Sequence, residues 1–105
     1  MRIKEQQARY HDWEAPRYNA KWAISFDRRC RDYVAGRYLR AVPSGRAYDD
    51  VLEVGCGTGF FGLNLWQAGV ARRLYALDLS VGMVARCVDN GARLGVAVHG
   101  AVADA

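Results

Sequence analysis

At 105 residues the chain has room for one domain, and its 51% hydrophobic and 25% charged content is that of an ordinary globular protein. No apolar run approaches the roughly 18–20 residues that a membrane helix needs; the start, Met1-Arg2-Ile3-Lys4-Glu5-Gln6-Gln7, is polar with no apolar segment behind it, which argues against a secretory signal and for a cytoplasmic protein with no membrane partner. The net charge of +4 comes mainly from arginine, but the densest group, Arg28, Arg29 and Arg31, is flanked by Asp27 and Asp32, so it reads as a solvated helix face and no nucleic-acid partner is expected.

In chain order, residues 1–42 carry an aromatic-rich helical pattern. Trp22, Phe26, Cys30, Tyr33, Val34, Tyr38 and Val42 recur at spacings of three and four, which predicts one face of a helix, and Pro43-Ser44-Gly45 predicts its end. From residue 48 to 105, short apolar runs alternate with helical stretches. Val51-Leu52-Glu53-Val54 predicts a buried strand, followed by glycines at 55, 57 and 59. Phe60 to Trp66 predict a helix ending near Gly69, and Leu74-Tyr75-Ala76-Leu77 a second strand closed by Asp78. Ser80 is placed to cap a helix that carries Met83, Val84, Cys87 and Val88 and ends at Asn90-Gly91, and Val96-Ala97-Val98-His99 predicts a third strand. Strand, helix, strand, helix, strand implies an α/β fold with a parallel sheet, one half of a Rossmann-like doubly wound domain.

Cys30, Cys56 and Cys87 lack the close spacing of a metal site and read as buried thiols, with Cys56, inside the glycine loop, the most exposed to the influence of a ligand. A glycine-rich turn between a strand and a helix lets a ligand approach the backbone, and the free N–H groups at the helix start attract an anion. Asp78 ends the second strand 19 residues after Gly59, where a carboxylate can accept hydrogen bonds from both hydroxyls of a ribose. Gly57-Thr58-Gly59-Phe60-Phe61-Gly62 satisfies the dinucleotide pattern G-x-G-x-x-G. Counted from Gly55, however, the third glycine position falls on Phe60, and Glu53 would repel a pyrophosphate while welcoming an ammonium group.

Val51-Leu52-Glu53-Val54-Gly55-Cys56-Gly57-Thr58-Gly59 resembles the first motif of class I S-adenosylmethionine-dependent methyltransferases. The resemblance continues through Ala76-Leu77-Asp78-Leu79-Ser80 with Met83, and through Gly100-Ala101-Val102-Ala103-Asp104-Ala105; Trp13-Glu14-Ala15-Pro16-Arg17-Tyr18 is similar to the N-terminal lid helices of small-molecule methyltransferases. It implies S-adenosylmethionine as cofactor, with Gly55, Cys56, Gly57 and Gly59 forming its cradle and Glu53 near its ammonium. Asp78 would hold the ribose, Leu79 and Met83 would flank adenine, and Asp104 with the Ala105 backbone would read the adenine edge.

The implied organisation is a lid over residues 1–47 and the first half of the cofactor domain over 48–105, truncated after about three of the family's seven strands. A small-molecule methyl acceptor and a completing chain or oligomer are the implied partners. No metal and no catalytic residue is assigned: His11 in the lid and His99 at the third strand read as surface or packing residues. Two other readings remain open, an NAD(P)-dependent oxidoreductase fragment and a non-catalytic remnant or interaction module.

Overall fold

A computed structural model describes residues 3–15 and 26–104, without the side chains of His11 and Glu14. Trp22, the lid positions Pro16, Arg17 and Tyr18, and Ala105 lie outside the described residues. Helix α1 spans Ile3–Glu14, α2 Arg28–Ala41, β1 Tyr48–Val54, α3 Phe60–Gln67, β2 Ala71–Asp78, α4 Val81–Leu94 and β3 Val98–Val102. No described helix is long and apolar enough to cross a membrane.

The three strands form one parallel sheet in the order β1-β2-β3. Leu74, Ala76 and Val98 are buried on one face, where they meet Leu63 of α3 and Val84 and Cys87 of α4. Both crossover helices therefore cover the same face. Leu52 of β1, Tyr75 of β2 and His99 of β3 are register partners on the other face. There Tyr75 and His99 stack with ring centroids 5.0 Å apart. The expectation of a buried first strand is corrected: β1 is an edge strand, and Leu52 and Val54 are 56% and 58% exposed because the helices pack on the opposite face. Its outer end is polar, with Asp50 paired to Arg73 through two hydrogen bonds of 2.6 and 3.0 Å across the register.

Several boundaries differ from the sequence reading, β1 and β2 each starting three residues early, at Tyr48 and Ala71. Helix α2 starts at Arg28 because the Asp27 carboxylate accepts the Cys30 N–H at 3.0 Å and caps it, so Phe26 lies outside the helix, and Val42 is its non-helical C-cap; within it Cys30 and Val34 are buried and Tyr33 is exposed. Helix α4 runs past Asn90-Gly91 to Leu94 and closes on Gly95 at φ +93°. Gly91 is a packing glycine instead: a Cβ there would lie 2.6 Å from Val98 Cγ2 and 3.1 Å from the Val96 carbonyl oxygen. Strand β3 begins two residues later than Val96, whose N–H is held by the Gly91 carbonyl at 2.9 Å while Val98 pairs with Leu74.

The helical segment is fastened to this frame by polar contacts. Gln67 of α3 donates to the Phe26 carbonyl at 2.9 Å and to Asn64 Oδ1 at 3.0 Å, while buried Asn64 donates to the Phe60 carbonyl at 2.8 Å. At the other side, Asp12 of α1 accepts the Ser80 hydroxyl at 2.5 Å and the Gly82 N–H at 2.8 Å. Ser80 caps α4 as its position predicts, accepting the Met83 N–H at 3.1 Å. Asp12 thus adds a second acceptor to the same helix start, where a carboxylate is favoured by the helix dipole.

Candidate functional site

The C-terminal ends of parallel strands are where open α/β sheets gather ligands, and the chain's glycine loop lies there between β1 and α3. Gly55, Gly57 and Gly59 all have positive φ, at +68°, +54° and +95°. That left-handed backbone disfavours any side chain bearing a Cβ. The loop is held from below by Cys56 N–H on the Leu77 carbonyl at 2.9 Å and by Gly57 N–H on Asp78 Oδ2 at 2.9 Å. Asp78 Oδ1 accepts the Ser80 N–H at 3.0 Å. One carboxylate at the end of β2 therefore joins the glycine loop to the turn that starts α4, and each oxygen keeps a second lone pair.

Two cavities flank the loop and meet at Gly55. The first, of about 270 Å³, is lined by Gly55 and Val54 from β1 and the loop, Leu77, Asp78 and Leu79 from β2 and its turn, Ala103 and Asp104 after β3, and Gln7 from α1. The second, of about 220 Å³, is lined by Glu53, Gly55, Cys56, Gly57, Thr58, Phe60 and Phe61. Each contains carboxylates, Asp78 and Asp104 in the first and Glu53 in the second.

Glu53 reaches under the loop to the start of α3, where its Oε1 accepts the Gly62 N–H at 3.2 Å. Burial pushes its carboxyl up to about 7; the Gly62 bond opposes that rise and the nearby charge of Asp78 adds to it. Gly62 is a glycine for the same reason, since a Cβ would come within 2.8 Å of Glu53 Oε1. A backbone donor that a pyrophosphate would use is thus already taken by a carboxylate.

Of the residues singled out by the resemblance, the structure brings Gly55, Asp78, Leu79 and Asp104 around the first cavity and Glu53, Cys56 and Gly57 around the second. Gly59 is the left-handed residue that starts α3. Met83 is buried in the first turn of α4, 2% exposed, and is not among the residues lining either cavity. Cys30, Cys56 and Cys87 are buried free thiols, in agreement with the sequence reading. His99 is exposed on the open sheet face, away from both cavities.

Residues outside the sequence expectation also contribute. Gln7 of α1 lines the first cavity, and Lys4 of the same helix forms an ion pair of 2.5 Å with Asp104. Nothing in the polar pattern of residues 3–14 marks either one. Thr58, 1% exposed, is held through its carbonyl by the Asn90 side chain at 3.0 Å. Here the sequence did carry a signal, an amide three residues after Cys87 on the apolar face of α4.

The methyltransferase domain family matches residues 51–105. Among solved structures, DhpI in complex with SAH is similar over 96% of this chain and 45% of that one, at 29% identity and a TM-score of 0.65. The DhpI-SAM-HEP complex is similar over 95% and 42%, at 31% identity and a TM-score of 0.63. An S-adenosylmethionine-dependent methyltransferase from Clostridium acetobutylicum ATCC 824, at 23% identity, shares the fold over 86% of this chain and 35% of that one, with a TM-score of 0.58. The chain spans less than half the length of each. No curated protein matches it.

Proposed function

The chain belongs to the methyltransferase domain family, and from that premise we propose that it forms the S-adenosylmethionine-holding part of a methyltransferase acting on a small-molecule acceptor. The observation that carries the reading is the meeting of two carboxylate-bearing cavities at Gly55. The ligand they fit is elongated, with a nucleoside at one end and an amino acid at the other, and it carries positive charge and no phosphate. The DhpI complexes with SAM and SAH, on a related fold, support the same assignment.

When bound, S-adenosylmethionine supplies a methyl group on a sulfonium, activated for in-line displacement. The protein's part is to hold and orient. Asp78 would accept from the ribose hydroxyls with its remaining lone pairs, Leu79 would flank adenine, and Asp104 with the Ala105 backbone would read its edge. Gly55, Cys56, Gly57 and Gly59 would let the methionine portion lie against the main chain, with Glu53 on the side of the ammonium. Residues 1–47 would act as a lid over the domain formed by 48–105, and the acceptor and any completing polypeptide belong to the same proposal. The Glu53–Gly62 bond argues against the dinucleotide alternative, because a carboxylate occupies the helix start that a pyrophosphate needs.

Calorimetric titration of the chain with S-adenosylhomocysteine and, separately, NADH tests the reading. S-adenosylhomocysteine should bind and Asp78→Ala should weaken it by about tenfold or more, as expected for loss of charge-assisted bonds of roughly 1.5–3 kcal/mol. A folded chain that binds NADH instead, or neither ligand, would overturn it.

A further inference from the structure

Two buried thiols lie in one core cluster at the glycine loop. Cys56 in the loop and Cys87 on α4 are 5% and 2% exposed, both free, and both belong to that cluster. Cys56 Sγ also lies 3.3 Å from the Gly57 carbonyl oxygen. Cys87 Sγ sits directly against the last loop glycine, 2.8 Å from where a Cβ on Gly59 would be. The third cysteine, Cys30 on α2, is not part of this cluster. Although little exposed, Cys56 lines the cavity of about 220 Å³, which gives a molecule as small as hydrogen peroxide a route to its sulfur. Cys87 lies behind it in the core.

We infer that Cys56 and Cys87 form an oxidisable dithiol, which a hydroperoxide converts to a disulfide that ties the glycine loop to α4 and draws it off Asp78. In the first step the Cys56 sulfur attacks the peroxide; an S–O bond forms, the O–O bond breaks, and hydroxide leaves with the thiol proton as water. In the second the Cys87 sulfur attacks the sulfenic acid; the S–S bond forms, the S–O bond breaks, and a second water leaves with the Cys87 proton. Two thiols and one hydrogen peroxide give one disulfide and two waters. The neighbouring Cys56 lowers the Cys87 thiol below the ordinary range, which suits Cys87 to the second step. The neighbouring Cys87, together with burial, raises Cys56, which makes the first step the slow one.

An S–S bond of about 2.05 Å is much shorter than any non-bonded contact between two sulfurs, so one partner must move. Helix α4 is 14 residues long and packs on β2 and β3, whereas nothing lies within 4 Å of a Cβ built on Gly55 or Gly57. The loop is the part that yields, and the Gly57 N–H bond to Asp78 is the contact it gives up. Under the proposed function, which this last consequence rests on, the disulfide switches off the cofactor cradle.

The test exposes the chain to hydrogen peroxide and reads intact mass, non-reducing peptide maps, amide hydrogen exchange over residues 55–59, and S-adenosylhomocysteine affinity. The expected result is loss of two hydrogens, a cross-link between the Cys56 and Cys87 peptides, faster exchange at Gly57, and at least about tenfold weaker binding, all reversed by dithiothreitol. Cys87→Ser and the apolar Cys87→Ala should both abolish the cross-link and the exchange change, whereas Cys30→Ser should leave them intact. Addition of oxygens at Cys56 with no cross-link, or a cross-link with unaltered exchange at Gly57, would overturn the inference. Should the reduced chain fail to bind S-adenosylhomocysteine, the proposed function falls, while mass and exchange still decide the dithiol.

Discussion

Glu53 Oε1 stands 3.2 Å from the Gly62 nitrogen, and a Cβ on that same glycine would press to within 2.8 Å of the same oxygen. The absence of a side chain at Gly62 and the presence of a carboxylate at Glu53 are thus one feature. Alanine at 62 would displace a flexible carboxylate and break a charge-assisted bond worth roughly 1.5–3 kcal/mol, against a gain of about 1 kcal/mol from replacing a helical glycine. Gly62→Ala should therefore lower stability by about 1 kcal/mol in urea denaturation. In a Glu53→Ala background the same substitution should become stabilising, since only the helix-propensity gain is left. An unchanged sign would separate the two residues.

Glu53 should also impose a pH dependence. Its folded value of about 7 is above the ordinary 4.5, so the folded chain holds more protons than the unfolded one between those values. Its contribution to stability is full below about 4.5 and is lost as pH rises through about 7. The loss should amount to roughly 1–3 kcal/mol, because Glu53 is only partly shielded from solvent. Glu53→Gln should flatten that part of the curve, which denaturant midpoints between pH 5 and 8 would reveal on the order of 1 kcal/mol precision.

The same carboxylate should couple pH to ligand binding under the proposed function. An ammonium group near Glu53 favours its charged form, so binding would release a proton. Affinity for S-adenosylhomocysteine should rise by about tenfold between roughly pH 5.5 and 8, and Glu53→Gln should remove most of the rise. Calorimetry in buffers of different ionisation enthalpy would detect the proton directly; none released would exclude this role.

Asp12 accepts both the Ser80 hydroxyl and the Gly82 N–H, and Ala15 packs where a Cβ on Gly82 would be only 3.2 Å away. Asp12→Ala should loosen α1 from α4 and cost about 1–2 kcal/mol. Hydrogen exchange should quicken across residues 3–14 and leave β2 protected. Equal change in both would mean that α1 is not held locally.

The parts of the fold legible in the sequence are those set by local chemistry. Ser80 is a capping residue ahead of an apolar helix and does cap it; the spacing of Gly55, Gly57 and Gly59 announces a turn that only glycines adopt, and Asp78 closes the second strand as its position implies. The remainder depends on partners distant in sequence. Gly91 resembles a helix stop, but Val98 approaches so closely that it is a contact point inside α4, and the stop is Gly95. Val96 is as β-branched as Val98, and only the pairing with Leu74 decides which begins the strand. Gln7 of α1 lines the first cavity, and Lys4 of the same helix pairs with Asp104, 100 residues away in sequence, a distance over which hydrophobic periodicity says nothing.

The Gly57 amide resting on Asp78 has a further consequence. The chain itself supplies the restraint that fixes the loop against the end of β2, so the ordering of the cradle is accomplished in folding and little is left for a ligand to impose. A preorganised main-chain surface selects by fit rather than by adapting, and its affinity is sensitive to anything that softens the restraint. Substitutions that leave every ligand-facing atom in place but loosen this join should therefore appear as an entropic loss in binding, with the enthalpy nearly preserved.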